Sequence, residues 1–177
     1  MPIYFVRHGE CEANEKMLLA GQRDDSPLTD VGRRQAAQAA TDLNKIHIDY
    51  IISSPLMRTR ETAVIIAETV GVDKRRVTID DRINEYDLGD YTRMPVDMPP
   101  PDWNNVPHGE SVRQFRDRVL SFFRQYKNNP ENILVVSHAG VGRIIDACRQ
   151  ELEPEAFYEL DPYPNGRVIQ LDLDWLT

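Results

Sequence analysis

The chain has 177 residues, of which 41% are hydrophobic and 28% are charged, and its formal net charge is −8. This length fits one domain with a sizeable core, and the acidic balance disfavours nucleic acid as a partner because phosphate backbones select basic surfaces. The sequence holds no apolar run of membrane-spanning length and does not begin with a basic region followed by an apolar one, so we expect neither a membrane helix nor a signal peptide.

The first predicted element is a strand, Ile3–Val6, whose four apolar residues run directly into Arg7-His8-Gly9-Glu10. Continuous apolar runs are typical of buried strands in α/β sheets. Ligands of open α/β sheets bind just beyond the carboxyl ends of such strands. Arg7 and His8 are therefore placed where binding and catalysis usually take place.

Residues 11–27 are polar and irregular, and they include Asn14 and Gln22 as hydrogen-bond donors. Thr29 is a favourable N-cap, so a helix is predicted from about Asp30 to Asn44 with Val31 on its buried side.

A short second strand is predicted at residues 49–53, and Pro55 then marks the start of a helix that Gly71 ends. Arg58 falls in the first turn of that helix, close to the end of the strand. A brief third strand is predicted at residues 76–79.

Residues 80–109 are the least regular part of the chain and contain five prolines, at positions 95, 99, 100, 101 and 107. Proline is excluded from helix interiors and central strands. Structureless loops of this length in compact domains usually carry function. We predict a lid or specificity loop here, within a single domain over residues 1–177, and Glu85 lies in it.

The last third of the chain predicts a helix from Ser111 to about Lys127, a strand at 133–137 and a helix from about 141 to 152. His138-Ala139-Gly140 follows the strand and repeats the opening pattern of an apolar strand, a histidine and a glycine. Strict alternation over residues 168–175 predicts an antiparallel strand near an edge.

Strands that alternate with helices predict an α/β fold, a three-layer α/β/α sandwich with a mostly parallel sheet and one antiparallel edge strand. The ends of parallel strands share one edge of the sheet, so Arg7, His8, Arg58 and His138 can converge there.

These residue types suit phosphoryl chemistry. Guanidinium groups donate bidentate hydrogen bonds to phosphate, and a neutral imidazole can attack phosphorus and form a covalent intermediate. A carboxyl such as Glu85 can protonate the leaving oxygen and then take a proton from water, and Glu110 is the rival for this role.

The two cysteines, Cys11 and Cys148, fit neither a zinc spacing nor a disulfide scaffold. A cysteine phosphatase would need an arginine six positions after its thiol, where Met17 and Pro154 stand instead. We expect a reducing, cytoplasmic environment.

Five short motifs follow one another along the chain. They are Arg7-His8-Gly9-Glu10, Pro27–Ala36, Ser53–Ala63, Gly109-Glu110-Ser111 and Val136–Gly140. In this order they resemble the histidine phosphatase superfamily, also called phosphoglycerate mutase-like proteins, over nearly the whole chain.

The resemblance implies that His8 is the nucleophile that becomes phosphohistidine. It implies that Arg7, Arg58 and His138 bind the phosphoryl group and that Glu85 is the proton donor, with no metal or other cofactor. Further contacts to the phosphoryl group are expected from Asn14, Gln22 and Ala139.

The sequence departs from the family at several places, one of them Cys11, which follows Glu10 where the family usually has Thr or Ser. Tyr91-Thr92-Arg93 stands where the family often has Trp-Glu-Gly, which leaves the shape of the leaving-group pocket open. Ala139 follows His138, so the His-Asp pair of the acid-phosphatase branch is absent, which favours Glu85 as the acid.

Three functions remain open. A phosphatase acting on a small phosphorylated metabolite is preferred. A cofactor-dependent mutase of the phosphoglycerate type would share its first half-reaction, but such mutases are longer and must keep water off the phosphohistidine. A non-catalytic phosphoester-binding module is the third. Oligomeric state, including a homodimer, stays open.

Overall fold

A computed structural model describes residues 3–98 and 102–176 of the chain. The strands are β1 (Ile3–Arg7), β2 (Tyr50–Ser53), β3 (Val77–Ile79), β4 (Ile133–Ser137) and β5 (Val168–Leu171). The α-helices are α1 (Glu12–Glu15), α2 (Asp30–Leu43), α3 (Met57–Val70), α4 (Val112–Tyr126) and α5 (Ala139–Arg149). Pro99, Pro100 and Pro101 of the predicted loop lie outside the described residues.

The strands form one sheet in the order β3-β2-β4-β1-β5. The first four run parallel, and β5 pairs antiparallel with β1 at the edge. In the β1–β4 ladder Arg7 lies opposite Ser137, so His8 and His138 follow at equivalent positions of neighbouring strands. This register brings the two histidines to the same edge.

Helices cover both faces of the sheet because side chains alternate between the faces along each strand. Phe5 and Val135 point into a core that holds Phe115 of α4 and Ile144 of α5. Their neighbours Val6 and Val136 point into the opposite core. The helix residues there are mostly small, and they come from α2 and α3: Ala39, Ala40, Leu43, Ala63, Ile66 and Ala67. The predicted three-layer sandwich with one antiparallel edge strand is confirmed.

Several predicted helix boundaries are confirmed by their caps. The Thr29 hydroxyl accepts a hydrogen bond from the Gly32 amide at the start of α2. Ser111 and Gln114 form a capping box at the start of α4. Gly71 ends α3 in the left-handed conformation, with φ of 77°.

Some expectations were wrong. Val31 is 40% exposed instead of buried. Helix α5 begins at Ala139 and ends at Arg149, where the Leu152 amide bonds back to the Ala147 carbonyl. Strand β5 stops at Leu171, opposite Ile3, and the Asp174 amide then bonds to the Asp172 carboxylate in a turn. The short helix α1 was not predicted.

The predicted loop from residue 80 onwards contains 3-10 turns at Asp81–Ile83 and Gly89–Tyr91. It packs beside the polar segment after β1. The Arg93 amide donates to the Leu19 carbonyl, and the Leu19 amide donates to the Met94 carbonyl. This pairing places the loop over the carboxyl edge of the sheet.

Candidate active site

A cavity of about 370 Å³ opens at the carboxyl edge of the sheet. Its charged and polar lining residues come from distant parts of the sequence: Arg7, His8, Asn14, Arg58, Glu85 and Arg143. The arginines give the cavity a local positive charge although the chain as a whole is acidic.

His8 is held rigidly at the end of β1. Its amide donates to the Ser137 carbonyl at 2.9 Å, and Asn165 Nδ2 donates to the His8 carbonyl at 2.8 Å. The ring Nδ1 lies 2.6 Å from the Gly9 carbonyl oxygen. A carbonyl can only accept, so Nδ1 carries the proton and Nε2 of the neutral ring keeps its lone pair.

The surroundings keep His8 uncharged. Burial is the largest cause that lowers its pKa well below 6.5, and the positive charges of Arg58 and Arg7 lower it further. The hydrogen bond to Gly9 opposes these effects without overcoming them. A neutral imidazole with a free Nε2 has the protonation state that a nucleophile needs.

His138 lies beside His8, with ring centroids 5.2 Å apart and planes inclined by 64°. Its Nε2 is 2.6 Å from the hydroxyl oxygen of Ser54, whose other side-chain contact, to Asn84 Oδ1, is longer at 3.4 Å. We assign the hydroxyl proton to the shorter contact, so Nε2 accepts and Nδ1 carries the ring proton. Burial, then the charge of Arg58, lowers the pKa of His138 well below 6.5.

Arg7 and Arg58 are fixed by backbone carbonyls. Arg7 donates to the Tyr163 carbonyl at 2.9 Å, and Arg58 donates to the carbonyls of Asp24 at 2.6 Å and Gly21 at 2.8 Å. Burial lowers the pKa of both guanidinium groups, and both stay charged since arginine does not deprotonate in proteins.

Three buried nitrogens in this group have no hydrogen-bond partner among the described residues: Nε of Arg7, Nε of Arg58 and Nδ1 of His138. Buried polar groups in proteins are nearly always paired. All three are donors in the protonation states given above. A tetrahedral oxyanion would offer acceptors to all of them.

Glu85 extends from the loop to the first turn of α5. Its Oε1 accepts from the Tyr86 amide at 2.9 Å and its Oε2 from the Gly140 amide at 3.3 Å. Arg118 Nη2 donates to the Glu85 backbone carbonyl at 2.8 Å and so holds the loop at this point. Glu110 does not line the cavity, and its two oxygens accept from Arg118 and the Asp87 amide.

The remaining predicted residues divide into two groups. Asn14 and Ala139 line the cavity, with Asn14 Oδ1 accepting from the Cys11 amide at 3.2 Å. Gln22 does not line it, and its Oε1 accepts from Asn84 Nδ2 at 3.2 Å. His138 lies fully buried behind the lining residues and reaches the site through its ring contact with His8.

Sequence reasoning missed one wall of the cavity, formed by Arg143, Tyr158 and Trp103. The rings of Trp103 and Tyr158 stack with centroids 3.7 Å apart, and the Arg143 guanidinium lies 5.1 Å from the Tyr158 ring centre. Arg143 could have been found, since it lies one helical turn after Ala139. Nothing in the sequence signals the long-range pairing of Trp103 with Tyr158.

Over the residues the structure describes, no cluster of three or more His, Cys, Asp or Glu side chains is arranged to hold a metal ion. Both cysteines are free, with Cys11 buried. Within residues 3–98 and 102–176, no helix is both long and apolar enough to cross a bilayer.

The sequence matches known proteins along most of its length. A family model described as "Histidine phosphatase superfamily (branch 1)" matches residues 3–175. The probable phosphoglycerate mutase GpmB of Escherichia coli (strain K12 / DH10B) is 35% identical over an alignment of 153 positions, and the match covers 78% of this chain and 69% of that protein.

Solved structures agree with this match. A mycobacterial glucosyl-3-phosphoglycerate phosphatase in complex with VO3 has a TM-score of 0.81 at 27% identity, covering 97% of this chain and 90% of its own. A putative alpha-ribazole-5'-P phosphatase from Escherichia coli K-12 has a TM-score of 0.80 at 28% identity, with 97% and 91% covered. Bacillus stearothermophilus YhfR has a TM-score of 0.84 at 25% identity, with 99% and 93% covered.

Proposed function

The chain belongs to the histidine phosphatase superfamily, branch 1, and from this membership we propose that it hydrolyses small phosphomonoesters in the cytoplasm through a phosphohistidine at position 8. The observation that carries the proposal is the Nδ1 hydrogen bond of His8 to the Gly9 carbonyl, which leaves Nε2 as the free lone pair. The phosphatases among the similar structures support the choice of hydrolysis.

In the first step, Nε2 of His8 attacks phosphorus and the bond from phosphorus to the leaving oxygen breaks. Glu85, in its protonated form, gives its proton to that oxygen, so the product leaves as a neutral alcohol. Arg7, Arg58 and His138 donate to the non-bridging oxygens, with Asn14 and the helix start at Ala139 beside them.

In the second step, water attacks the phosphorus of phospho-His8 and Glu85 accepts a proton from it. The nitrogen–phosphorus bond breaks, phosphate leaves and neutral His8 returns. Each step uses only groups of this chain, the ester and water, so the proposed cycle includes no metal. The loop from residue 80 to 109 would select the leaving alcohol, because Tyr86, Leu88, Val96 and Trp103 of this loop line the cavity.

The second candidate is a phosphoglycerate-type mutase, which the 35% identity to the probable mutase GpmB favours. It shares the first step but returns the phosphoryl group to a bound sugar acid. Incubation with a labelled phosphoester panel that includes 3-phosphoglycerate separates the two. Free phosphate supports the hydrolase and isomerised product without phosphate supports the mutase, whereas no turnover of any ester contradicts both.

The nucleophile is tested by trapping acid-labile phosphate on the protein. We expect the label on the unmodified chain and none on His8→Ala. An exposed histidine offers a matched control, since His47→Ala removes a ring that is not part of the cavity. Label that persists on His8→Ala would place the nucleophile elsewhere.

A further inference from the structure

One of the five motifs, Pro27–Ala36, lies wholly within the described residues and supplies none of the cavity lining. Its helical part contains Gly32 and Gln35, which lie on the same face of α2 because they are three positions apart. Gln35 Oε1 accepts a hydrogen bond from the Glu10 amide at 2.7 Å. The motif therefore contacts the segment that follows the nucleophile.

The start of α2 packs directly on the backbone that follows β1. A Cβ on Gly9 would overlap the Gly32 carbonyl, and a Cβ on Gly32 would overlap the Glu10 carbonyl. The Thr29 amide donates to the same Glu10 carbonyl at 2.9 Å. Because neither glycine has a side chain, α2 comes close enough for Gln35 to reach the Glu10 amide.

The peptide between Gly9 and Glu10 joins the nucleophile to Gln35. Its carbonyl accepts from Nδ1 of His8 at 2.6 Å, and its N–H donates to Gln35. The preceding amide, that of Gly9, donates to the Thr62 hydroxyl at 3.1 Å. Glycine allows many backbone conformations, so the direction of the Gly9 carbonyl depends on the partner that holds the other end of its peptide. That partner is Gln35.

The proposed first step places more demand on this series of hydrogen bonds. When Nε2 of His8 bonds to phosphorus, Nδ1 keeps its proton, the ring becomes positively charged and the Gly9 carbonyl faces a cation. Hydrogen bonds in series polarise one another, so a peptide whose N–H is bonded is a better acceptor at its carbonyl. Burial and the charges of Arg58 and Arg7 lower the pKa of His8, whereas the Gly9 hydrogen bond raises it.

We propose that Gln35 is a positioning residue for the nucleophile. Through the Glu10 amide it fixes and polarises the Gly9 carbonyl, which holds His8 in the tautomer with the proton on Nδ1 and stabilises the charge that the ring gains. Gln35 contacts neither the ester nor the phosphoryl group and acts only through the backbone. This inference rests on the proposed phosphohistidine chemistry.

The test removes the acceptor and keeps the length of the side chain. In Gln35→Met, kcat/KM for phosphate release should fall by at least about tenfold. Alkyl and aryl phosphates should slow equally, because the nucleophile attacks both. Competitive inhibition by inorganic phosphate should change by less than about twofold, since Arg7 and Arg58 stay in place. Gln35→Glu, which keeps an acceptor oxygen, should retain most of the activity.

The tautomer of His8 is a readout that a purely structural role of Gln35 would not change. In the wild type, the ¹⁵N shifts of the ring should show a protonated Nδ1 and an unprotonated Nε2. Gln35→Met should move them toward a mixture of the two tautomers. The matched control is Gln38→Met on the same helix, which removes a side chain that donates to Asp42. It should leave the shifts and kcat/KM unchanged.

A protonated Nε2 in wild-type His8, or wild-type kcat/KM in a folded Gln35→Met, would overturn the proposal. Unchanged ring shifts with equal loss of turnover and of phosphate inhibition, or no recovery in Gln35→Glu, would make Gln35 a structural residue and overturn it as well. Thermal melts show which variants are folded, and Gln35→Ala repeats the test if Gln35→Met is not. The proposed function fails separately, if no phosphoester, including p-nitrophenyl phosphate, yields phosphate or labelled protein.

Discussion

The Glu85 carboxylate lies against Gly140, in the space that a side chain at position 140 would occupy. A Cβ built on Gly140 would lie 2.3 Å from Oε1 of Glu85, closer than two such atoms can approach. The Gly140 amide donates to the other oxygen of the same carboxylate. The position of the proposed acid therefore depends on the absence of a side chain at the second residue of α5.

Gly140→Ala should displace the Glu85 carboxylate and slow turnover of esters with poor leaving groups by about 100-fold or more, the range typical of general acid catalysis. Glu85→Gln should show the same dependence on the leaving group, with p-nitrophenyl phosphate affected least. Measurement of kcat/KM for alkyl and aryl phosphates checks both variants.

The matched control is Gly71→Ala at the end of α3. Its added Cβ meets no atom within 4 Å, but its φ of 77° strains alanine, so stability should fall by about 1–2 kcal/mol with turnover unchanged. Equal slowing of aryl and alkyl esters in Gly140→Ala would show that Glu85 is not the leaving-group acid.

The neutral state of His8 and His138 predicts how stability depends on pH. Their folded pKa values lie well below 6.5, mainly because of burial. As the pH falls below about 6.5, the unfolded chain binds protons that the folded chain does not, so the free energy of unfolding decreases. Each histidine contributes a slope of up to about 1.4 kcal/mol per pH unit.

Urea unfolding between about pH 5 and 8 measures this slope. His8→Asn and His138→Asn should each reduce this slope below pH 6.5 by the amount that corresponds to the binding of about one proton. A slope unchanged in both variants would show that the two rings are protonated in the folded protein.

The hydroxyl of Ser54 fixes the tautomer of His138. Ser54→Ala should leave Nε2 of His138 without its buried partner, at a cost of about 1–3 kcal/mol in stability. We also expect kcat to fall by about tenfold, because the ring no longer presents Nδ1 as a fixed donor. The tautomer can be followed by the ¹⁵N chemical shifts of the His138 ring.

Ser53→Ala is the matched control for this change. The Ser53 hydroxyl is also buried, but it donates to the Ser54 carbonyl at 2.8 Å instead of contacting a histidine. It should lower stability without altering the ¹⁵N shifts. If Ser54→Ala keeps both the wild-type shifts and the wild-type kcat, the assigned hydrogen bond is wrong.

The loop also supports Arg58, one of the proposed phosphate ligands. Arg93 forms an ion pair with the buried carboxylate of Asp24, and the Asp24 carbonyl accepts from Arg58. Burial raises the pKa of Asp24, but hydrogen bonds from Ser26 and Arg93 outweigh it, so the net pKa lies below its usual value. Asp24 is thus a link between the loop and Arg58.

Arg93→Gln should weaken inhibition by orthovanadate by about tenfold, because Arg58 loses part of its support. Arg23→Gln serves as the comparison, since Arg23 also joins this segment to the loop, through Asp87 and the His108 carbonyl, but does not contact Asp24. It should leave inhibition by orthovanadate close to that of the wild type, because an exposed ion pair contributes little. If orthovanadate inhibits both variants and the wild type equally, Arg93 does not support Arg58.

The sequence was sufficient to predict the positions of the side chains that directly follow strands. His8 and His138 could be placed because apolar runs locate β1 and β4, and the ends of parallel strands meet by geometry. Caps such as Thr29 and Gly71 were readable because they act within a few residues of their helix end.

The parts that could not be predicted depend on contacts between distant residues. Trp103 stacks on Tyr158 across 55 positions of the chain, and no local pattern encodes such a pair. The end of β5 at Leu171 was missed because the alternation continues to residue 175, whereas the Asp174 amide turns back to the Asp172 carboxylate. Gln22 bonds to Asn84, an equally remote residue, and does not line the cavity, so its contact with the phosphoryl group stays a prediction.

The register that sets Arg7 opposite Ser137 has a consequence for how such a scaffold can diverge. The distance between the two imidazoles is set by the backbone hydrogen bonds of the ladder. It therefore changes little when the residues that would contact the alcohol are replaced. A deletion of one residue within β1 or β4 would instead turn a ring to the opposite face and end all activity. New substrates are therefore accessible through exchange of the loop residues that line the cavity around Glu85, namely Tyr86, Leu88, Val96 and Trp103, while Glu85 and the chemical step are kept.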